Sequence, residues 1–168
     1  SVPAPNSGFV AVAAGWYHSL GLKGDGSIVA WGAGEPGQSG TLHHGQCDVP
    51  APNSSFVAIA GGALHSLGLK ADGTISAWGS NTDYHGNYAG QCDIPAPNSG
   101  FIAVAAGYVH SLGLKADGSI VAWGSNAYGE CVVPAPNSGF VAMSAGTELD
   151  GGYSLGLKAD GSIVAWGS

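Results

Sequence analysis

The stretch "HSLGLKADGSIVAWG" at residues 110–124 recurs with small changes at 65–79 and 18–32, and again at 153–167 as "YSLGLKADGSIVAWG". Its apolar residues return every second position, the period of a strand. In the first copy, His18, Leu20 and Leu22 face one way and Ser19, Gly21 and Lys23 the other. The following G/A-D-G-S/T is a hairpin turn whose Gly supplies positive φ, and S-I-V-A-W-G returns as the next strand. No stretch shows a helical period.

Trp31, Trp78, Trp123 and Trp166 mark the repeat, 47, 45 and 43 residues apart. P-A-P-N-S-G-F marks it again from Pro3, Pro50, Pro95 and Pro134, with Ser55 replacing Gly in the second copy. Such periods signal solenoids, propellers or arrays. "FVAVAAG" (Phe9 to Gly15) is apolar throughout, as expected of a strand buried on both faces. "GQCDVP" (Gly45 to Pro50) is expected to be a short fourth strand, stopped by a residue that cannot donate to a ladder. Four antiparallel strands per repeat describe a propeller blade. The reading is therefore all-β: one propeller-type domain over residues 1–168, with four blade units of about four antiparallel strands. The repeat cores are 3–32, 50–79, 95–124 and 134–167, joined by connectors 33–49, 80–94 and 125–133. Ser1-Val2 matches the tail of a fourth strand and Ser168 stops before one. The ends are thus expected to be incomplete, with open edges that invite pairing.

Composition narrows the function. Charged residues are 9% of the chain and the net charge is −7, against about 25% charged in an ordinary domain. There is no Arg, and Lys23, Lys70, Lys115 and Lys158 each close one H/Y-S-L-G-L-K. No basic patch exists to hold phosphate, so nucleic acid is not an expected partner. No apolar run approaches the ~20 residues of a membrane helix. The chain opens inside a repeat motif, as a processed or excerpted chain would. Cys47, Cys92 and Cys131 occupy one repeat position and are expected to be small buried hydrophobes, an intermolecular bridge being the alternative.

The pattern G-x-x-H-S-L-G-L-K-x-D-G-S-I-V-A-W-G, between a V-A-x-A-A-G strand and a G-Q-C-D-V-P segment, resembles the repeat of the regulator of chromosome condensation family over essentially the whole chain. The V-P-A-P variant is similar to bacterial, secreted-type members, which include a β-lactamase inhibitory protein. The resemblance implies a β-propeller, usually of seven blades. It implies no single function, since members include an exchange factor and inhibitors.

The repeats also serve as their own comparison. The A-D-G hairpins and P-A-P-N-S-G links hardly vary and fall on one face. The other face carries loops that differ strongly: Trp16-Tyr17, Ala63-Leu64, Tyr108-Val109 and the longer Thr147 to Gly152, with connectors Ala33 to Cys47, Ser80 to Cys92 and Ser125 to Cys131. Binding is expected there, through Trp16, Tyr17, His43, His44, Tyr84, His85, Tyr88, Tyr108, Tyr128, Glu148 and Asp150. His43, His44 and His85 are weighed as metal ligands, and Glu148 with Asp150 as part of a Ca²⁺ site, but no spacing signature supports either and no metal or cofactor is expected. Asn53 heads the one glycosylation sequon, "NSS". His18, His65 and His110, with Tyr153 in the fourth copy, are expected to be structural, hydrogen-bonded to a neighbouring loop carbonyl. A catalytic His needs a unique partner, and three equivalent copies do not have one. Trp31, Trp78, Trp123 and Trp166 are expected at equivalent positions between blades. The leading functional expectation is a non-enzymatic, extracellular module that self-associates head-to-tail into a fibre or scaffold. A protein-binding propeller such as an enzyme inhibitor is the alternative, and a GTPase exchange factor the third.

Overall fold

The computed structural model describes residues 2–40, 42–148 and 152–168. Four three-stranded antiparallel sheets follow one another: β1 (Phe9–Ala14), β2 (His18–Lys23) and β3 (Ile28–Gly32); β4 (Phe56–Gly61), β5 (His65–Lys70) and β6 (Ile75–Gly79); β7 (Phe101–Ala106), β8 (His110–Lys115) and β9 (Ile120–Gly124); β10 (Phe140–Ala145), β11 (Tyr153–Lys158) and β12 (Ile163–Gly167). The sheets are β-propeller blades. The first strands β1, β4, β7 and β10 adjoin one another in turn, and each middle strand adjoins the first strand of the next blade. The first strands therefore form the inner rim.

One packing unit is built three times. Leu20, Leu22 and Ile28 of the first blade close on Phe56 and Trp78 of the second. Leu67, Leu69 and Ile75 close on Phe101 and Trp123, and Leu112, Leu114 and Ile120 on Phe140 and Trp166. Each Phe lies flat across the middle strand of its own blade. A Cβ at Gly21, Gly68, Gly113 or Gly156 would fall within 2.7 Å of that ring, which explains a Gly where strand propensity opposes one. Each Lys then caps the ring, with Nζ 5.1, 5.2, 4.6 and 4.4 Å from the Phe centroid in successive blades. This cation–π contact gives the four cations of the chain one shared structural position.

Two strand expectations are corrected. The inner strand is not buried on both faces: Val10, Val12, Val57, Ile102 and Val141 are exposed. A bulge between its first and third residues leaves the second outside the register, in all four blades, and turns it off the core. The fourth segment is not a ladder strand. The Asp48 amide donates to Gly45 O and that of Val49 to Cys47 O, and Asp93 and Ile94 repeat this with Gly90 and Cys92. Its amides close local turns, so an unpaired fourth-strand edge does not set the terminal blades apart. Among the described residues, no blade covers the outer faces of the first and last sheets.

The invariant face is hydrogen-bonded between blades. Asn53 accepts from the Ile28 amide at 2.7 Å and donates from Nδ2 to Ile28 O at 2.8 Å. Asn98 and Asn137 do the same to Ile75 and Ile120. A glycan on Asn53 would have to break that Nδ2 bond. In each hairpin the Asp Oδ1 accepts from the amide and hydroxyl two residues on, as Asp25 does from Ser27.

The three cysteines are free, Cys47 buried and the other two only half-buried. Each thiol donates to a connector carbonyl: Cys47 to Ala33 O, Cys92 to Ser80 O and Cys131 to Ser125 O. Burial pushes their pKa values up to about 11, 12 and 12. Iodoacetamide at pH 8 should therefore modify the native chain far more slowly than the denatured one, since only thiolate reacts. Rapid native loss of all three thiols would contradict this.

Ser55 stands at φ +66°, where Gly8, Gly100 and Gly139 stand at +77°, +74° and +72°. A Cβ in that region costs ~1–2 kcal/mol, partly offset by the greater unfolded-state freedom of Gly. Ser55→Gly is expected to raise stability by about 0.5–1 kcal/mol in urea denaturation, and a loss would refute the strain.

Candidate functional site

The blades are clasped through a single backbone carbonyl. Gln46 O accepts from Trp78 Nε1 at 2.9 Å and from Ser66 Oγ at 2.8 Å. Gln91 O receives Trp123 and Ser111 in the same way, and Glu130 O receives Trp166 and Ser154. Behind each Ser stands the His of the preceding blade. Nε2 of His18, His65 and His110 lies 2.8, 3.0 and 3.1 Å from Oγ of Ser66, Ser111 and Ser154. The single Ser hydrogen goes to the carbonyl, so His Nε2–H must be the donor. The His partner is thus a hydroxyl of the next blade, which relays to the carbonyl, and not a loop carbonyl directly. Nδ1 of each ring is buried without a partner. It packs on Gly15, Gly62 or Gly107, where a Cβ would fall within 2.6 Å of it. Burial holds all three rings neutral: His18 is lowered to about 4, His65 to about 3 and His110 likewise downward, the last opposed by the nearby Glu130 carboxylate. Trp31 and Tyr153 occupy the corresponding positions on the outward faces of the terminal blades, half-buried and exposed respectively.

The variable loops gather on the opposite face from the hairpins. Trp16 of the first blade stacks on Tyr108 of the third at 5.0 Å, over Ala63 and Leu64 of the second. Tyr108 is only 7% exposed and its hydroxyl accepts from the Tyr84 amide. The expectation of Trp16 and Tyr108 as free contact residues is corrected accordingly: they hold the loops together. Tyr17, Tyr84, Tyr88 and Tyr128 do stand exposed. His43 Nδ1 accepts from the Gly34 amide, the His44 amide donates to Gln46 Oε1, and the His85 ring meets Tyr84 edge-on. Among the described residues no three His, Cys, Asp or Glu side chains converge as a metal site. Asp150 lies outside the described residues.

One concavity of about 510 Å³ opens here between the third and fourth blades. Asp83, His85 and Tyr88 come from the 80–94 connector, Tyr108 from the third blade's loop, Tyr128 and Glu130 from the 125–133 connector, and Glu148 from the last loop. The aromatic and acidic candidates of Tyr88, Tyr108, Tyr128 and Glu148 thus meet in one place. Glu130 was not among the sequence candidates. Its signal was a departure inside an otherwise constant segment, G-Q-C at 45–47 and 90–92 but G-E-C at 129–131.

The description "Regulator of chromosome condensation (RCC1) repeat" matches residues 9–38, 56–85 and 101–130, the span from the inner strand into the connector in three blades. The chain belongs to the RCC1 repeat family. No curated protein matches it. Among solved structures, this RCC1-repeat chain is similar to yeast RCC1 (Prp20) bound to Kap60, at TM-score 0.73 and 21% identity over 99% of this chain and 45% of that one. Saccharomyces cerevisiae Prp20p, described with its binding to Gsp1p and histones, gives 0.70 and 19% over 99% and 46%. The CRINKLY WD40 ectodomain of the Arabidopsis thaliana receptor kinase ACR4 gives 0.68 and 22% over 95% and 50%. The chain spans about half the length of these structures. At such identity the likeness is one of fold.

The clasp makes stability depend on pH. The folded state holds His18 neutral down to about pH 4 and His65 down to about pH 3, with His110 lowered in the same direction, whereas the unfolded chain takes up protons below about 6.5. The unfolded state therefore binds more protons between these values, and stability falls as pH drops through 6.5. The slope is about 1.4 kcal/mol per pH unit for each such His. Urea midpoints should be flat from pH 7 to 8 and decline from pH 6.5 to 4.5, above the range of the hairpin aspartates. His65→Gln should flatten the decline, and an unchanged slope would remove His65 from it.

Proposed function

We propose that the chain is a non-catalytic, extracellular protein-interaction module that associates head-to-tail with further copies of itself. One observation carries this reading. The blade-to-blade interface is made three times inside the chain, and the two unmatched halves of a fourth face outward at opposite ends. Ile28, Ile75 and Ile120 are 3, 3 and 2% exposed beneath the next blade, whereas Ile163 is 70% exposed. Leu157 is also exposed, and the strip around it forms a shallow apolar hollow of about 230 Å³ with Ala142, Met143, Leu155 and Ile163. In the other blades a Phe and a Trp of the following blade fill this place. Phe9 and Trp31 present that pair at the far end, both half-buried.

Burying an Ile or Leu stabilises by about 1.5–3 kcal/mol. Two different surfaces meet, so the contact is heterologous. It gives a ring if the rotation closes and a fibre if it does not. Thiols held protonated are compatible with an oxidising exterior. The second reading, a propeller that captures another protein on its variable loops, is favoured by the exposed Tyr17, Tyr84, Tyr88 and Tyr128. That yeast RCC1 is seen with Kap60, and Prp20p with Gsp1p and histones, supports the binding class without naming a partner here. An exchange factor is the least supported reading.

Sedimentation at tens of micromolar is expected to show concentration-dependent oligomers larger than a dimer. Ile163→Glu should return them to monomer with the melting temperature nearly unchanged. A monodisperse wild-type monomer would overturn head-to-tail association.

A further inference from the structure

We propose that the concavity between the third and fourth blades receives an arginine side chain presented by a partner protein. This goes beyond self-association and uses a different surface. The argument starts from one repeat position. At 46 and 91 the residue is Gln, and its amide Nε2 donates to a connector carbonyl, Leu42 O at 2.7 Å or Thr82 O at 2.9 Å. The connectors that supply these carbonyls run over 33–47 and 80–92, but the third runs only over 125–131. The carbonyl-bearing loop is thus missing from the third, and the concavity of about 510 Å³ lies in its stead. There the residue is Glu130.

Glu130 is 2% exposed. One oxygen, Oε2, accepts from the Tyr128 amide at 2.8 Å, and the other has no donor among the described residues. The carboxylate rests against Gly152, where a Cβ would fall 2.7 Å from its Cδ. Glu130 lines the concavity, and a cation placed there would pair with this carboxylate. Of the imidazoles lining the concavity, His110 is held neutral and His85 lies beside Asp83, and the chain supplies no arginine or lysine to pair the carboxylate. It has no Arg, and its four lysines lie over Phe rings, with Lys115 and Lys158 also donating to the link carbonyls of Pro97, Ser99, Pro136 and Ser138. A second copy would bring the same arrangement.

The rest of the concavity fits a flat cation. Asp83 and Glu148 add negative charge at the wall, and the exposed Tyr88 and Tyr128 supply ring surface. A guanidinium stacks on aromatic faces and donates in its plane to a carboxylate. The volume is in the range of sites that enclose a side chain or small ligand. The charge of the whole molecule points the same way. Asp25, Asp72, Asp117 and Asp160 sit in the hairpins near the four lysines, so the net charge of −7 resides in the connectors and variable loops.

The test is calorimetric or NMR titration with N-acetyl-arginine amide, using N-acetyl-citrulline amide as the neutral analogue of the same shape. Saturable 1:1 binding of the arginine compound is expected, with citrulline at least tenfold weaker. Glu130→Gln installs the residue that the other two repeats carry, and keeps the backbone carbonyl that clasps Trp166. It should fold normally, keep the wild-type sedimentation profile and lose at least tenfold in arginine affinity. Tyr88→Ala, which leaves the floor intact, should weaken binding several-fold and serves if Glu130→Gln does not fold. Equal binding of citrulline, or undiminished binding by Glu130→Gln, would overturn the proposal while leaving head-to-tail association untouched.

Discussion

A carbonyl oxygen has two lone pairs, and the packing of these blades depends on both being used. Gln46, Gln91 and Glu130 each offer one oxygen to a Trp indole and a Ser hydroxyl of the blade that follows. The His of the blade before donates into the same Ser. A connector carbonyl, an indole N–H, a hydroxyl and an imidazole Nε2–H, four polar groups from two blades and a connector, are thereby paired in a buried interface, where any one left alone would cost about 1–3 kcal/mol. The geometry tolerates little slack. The His ring fits because a Gly faces it, and the Trp reaches the carbonyl because the connector makes a local turn and not a fourth strand.

This clasp explains why the repeat words are so constant while the connectors are free. His and Ser stand side by side on one strand, pointing to opposite neighbours, so both must persist for either interface to form. Phe, central Gly and Lys form a second linked set on the same strand pair. Residues 16–17, 63–64 and 108–109 and the connectors enter neither set except through one carbonyl each. They have been able to differ in length and chemistry without disturbing the blades, which is how a rigid scaffold comes to carry a variable surface.

Much of the fold was legible in the chain because its signals are local. The two-residue period of HSLGLK, the D-G turn and the regular Trp identify strands, hairpins and blades directly. The inner-strand bulge was not legible, since FVAVAAG reads apolar whichever residue is turned out. Nor was the fate of GQCDVP, where a strand and a pair of turns share the same composition. The partner of His18 lies on Ser66, and nothing near His18 in sequence reveals it. Only the adjacency of His and Ser in every copy hints at a relay. The aromatic loop residues were readable as a group, but not which were tied to each other, because the Trp16–Tyr108 stack spans a whole blade. Glu130 was in plain sight as one letter among three copies, yet it gains meaning only when its side chain is seen to line the concavity beside the shortened connector.

The way charge is divided between the two faces has a consequence for motion. The hairpins are balanced, lysine by aspartate, while the excess of acidic residues falls in the connector and loop segments of the sequence. Charge divided in this way gives a molecule an electric dipole, and a basic molecule diffusing nearby would experience a torque as well as an attraction. It arrives already turned toward the loops, before any contact is made. Encounter is hastened in this way most strongly in dilute salt, and the advantage fades once the screening length, about 8 Å at physiological ionic strength, becomes shorter than the approach.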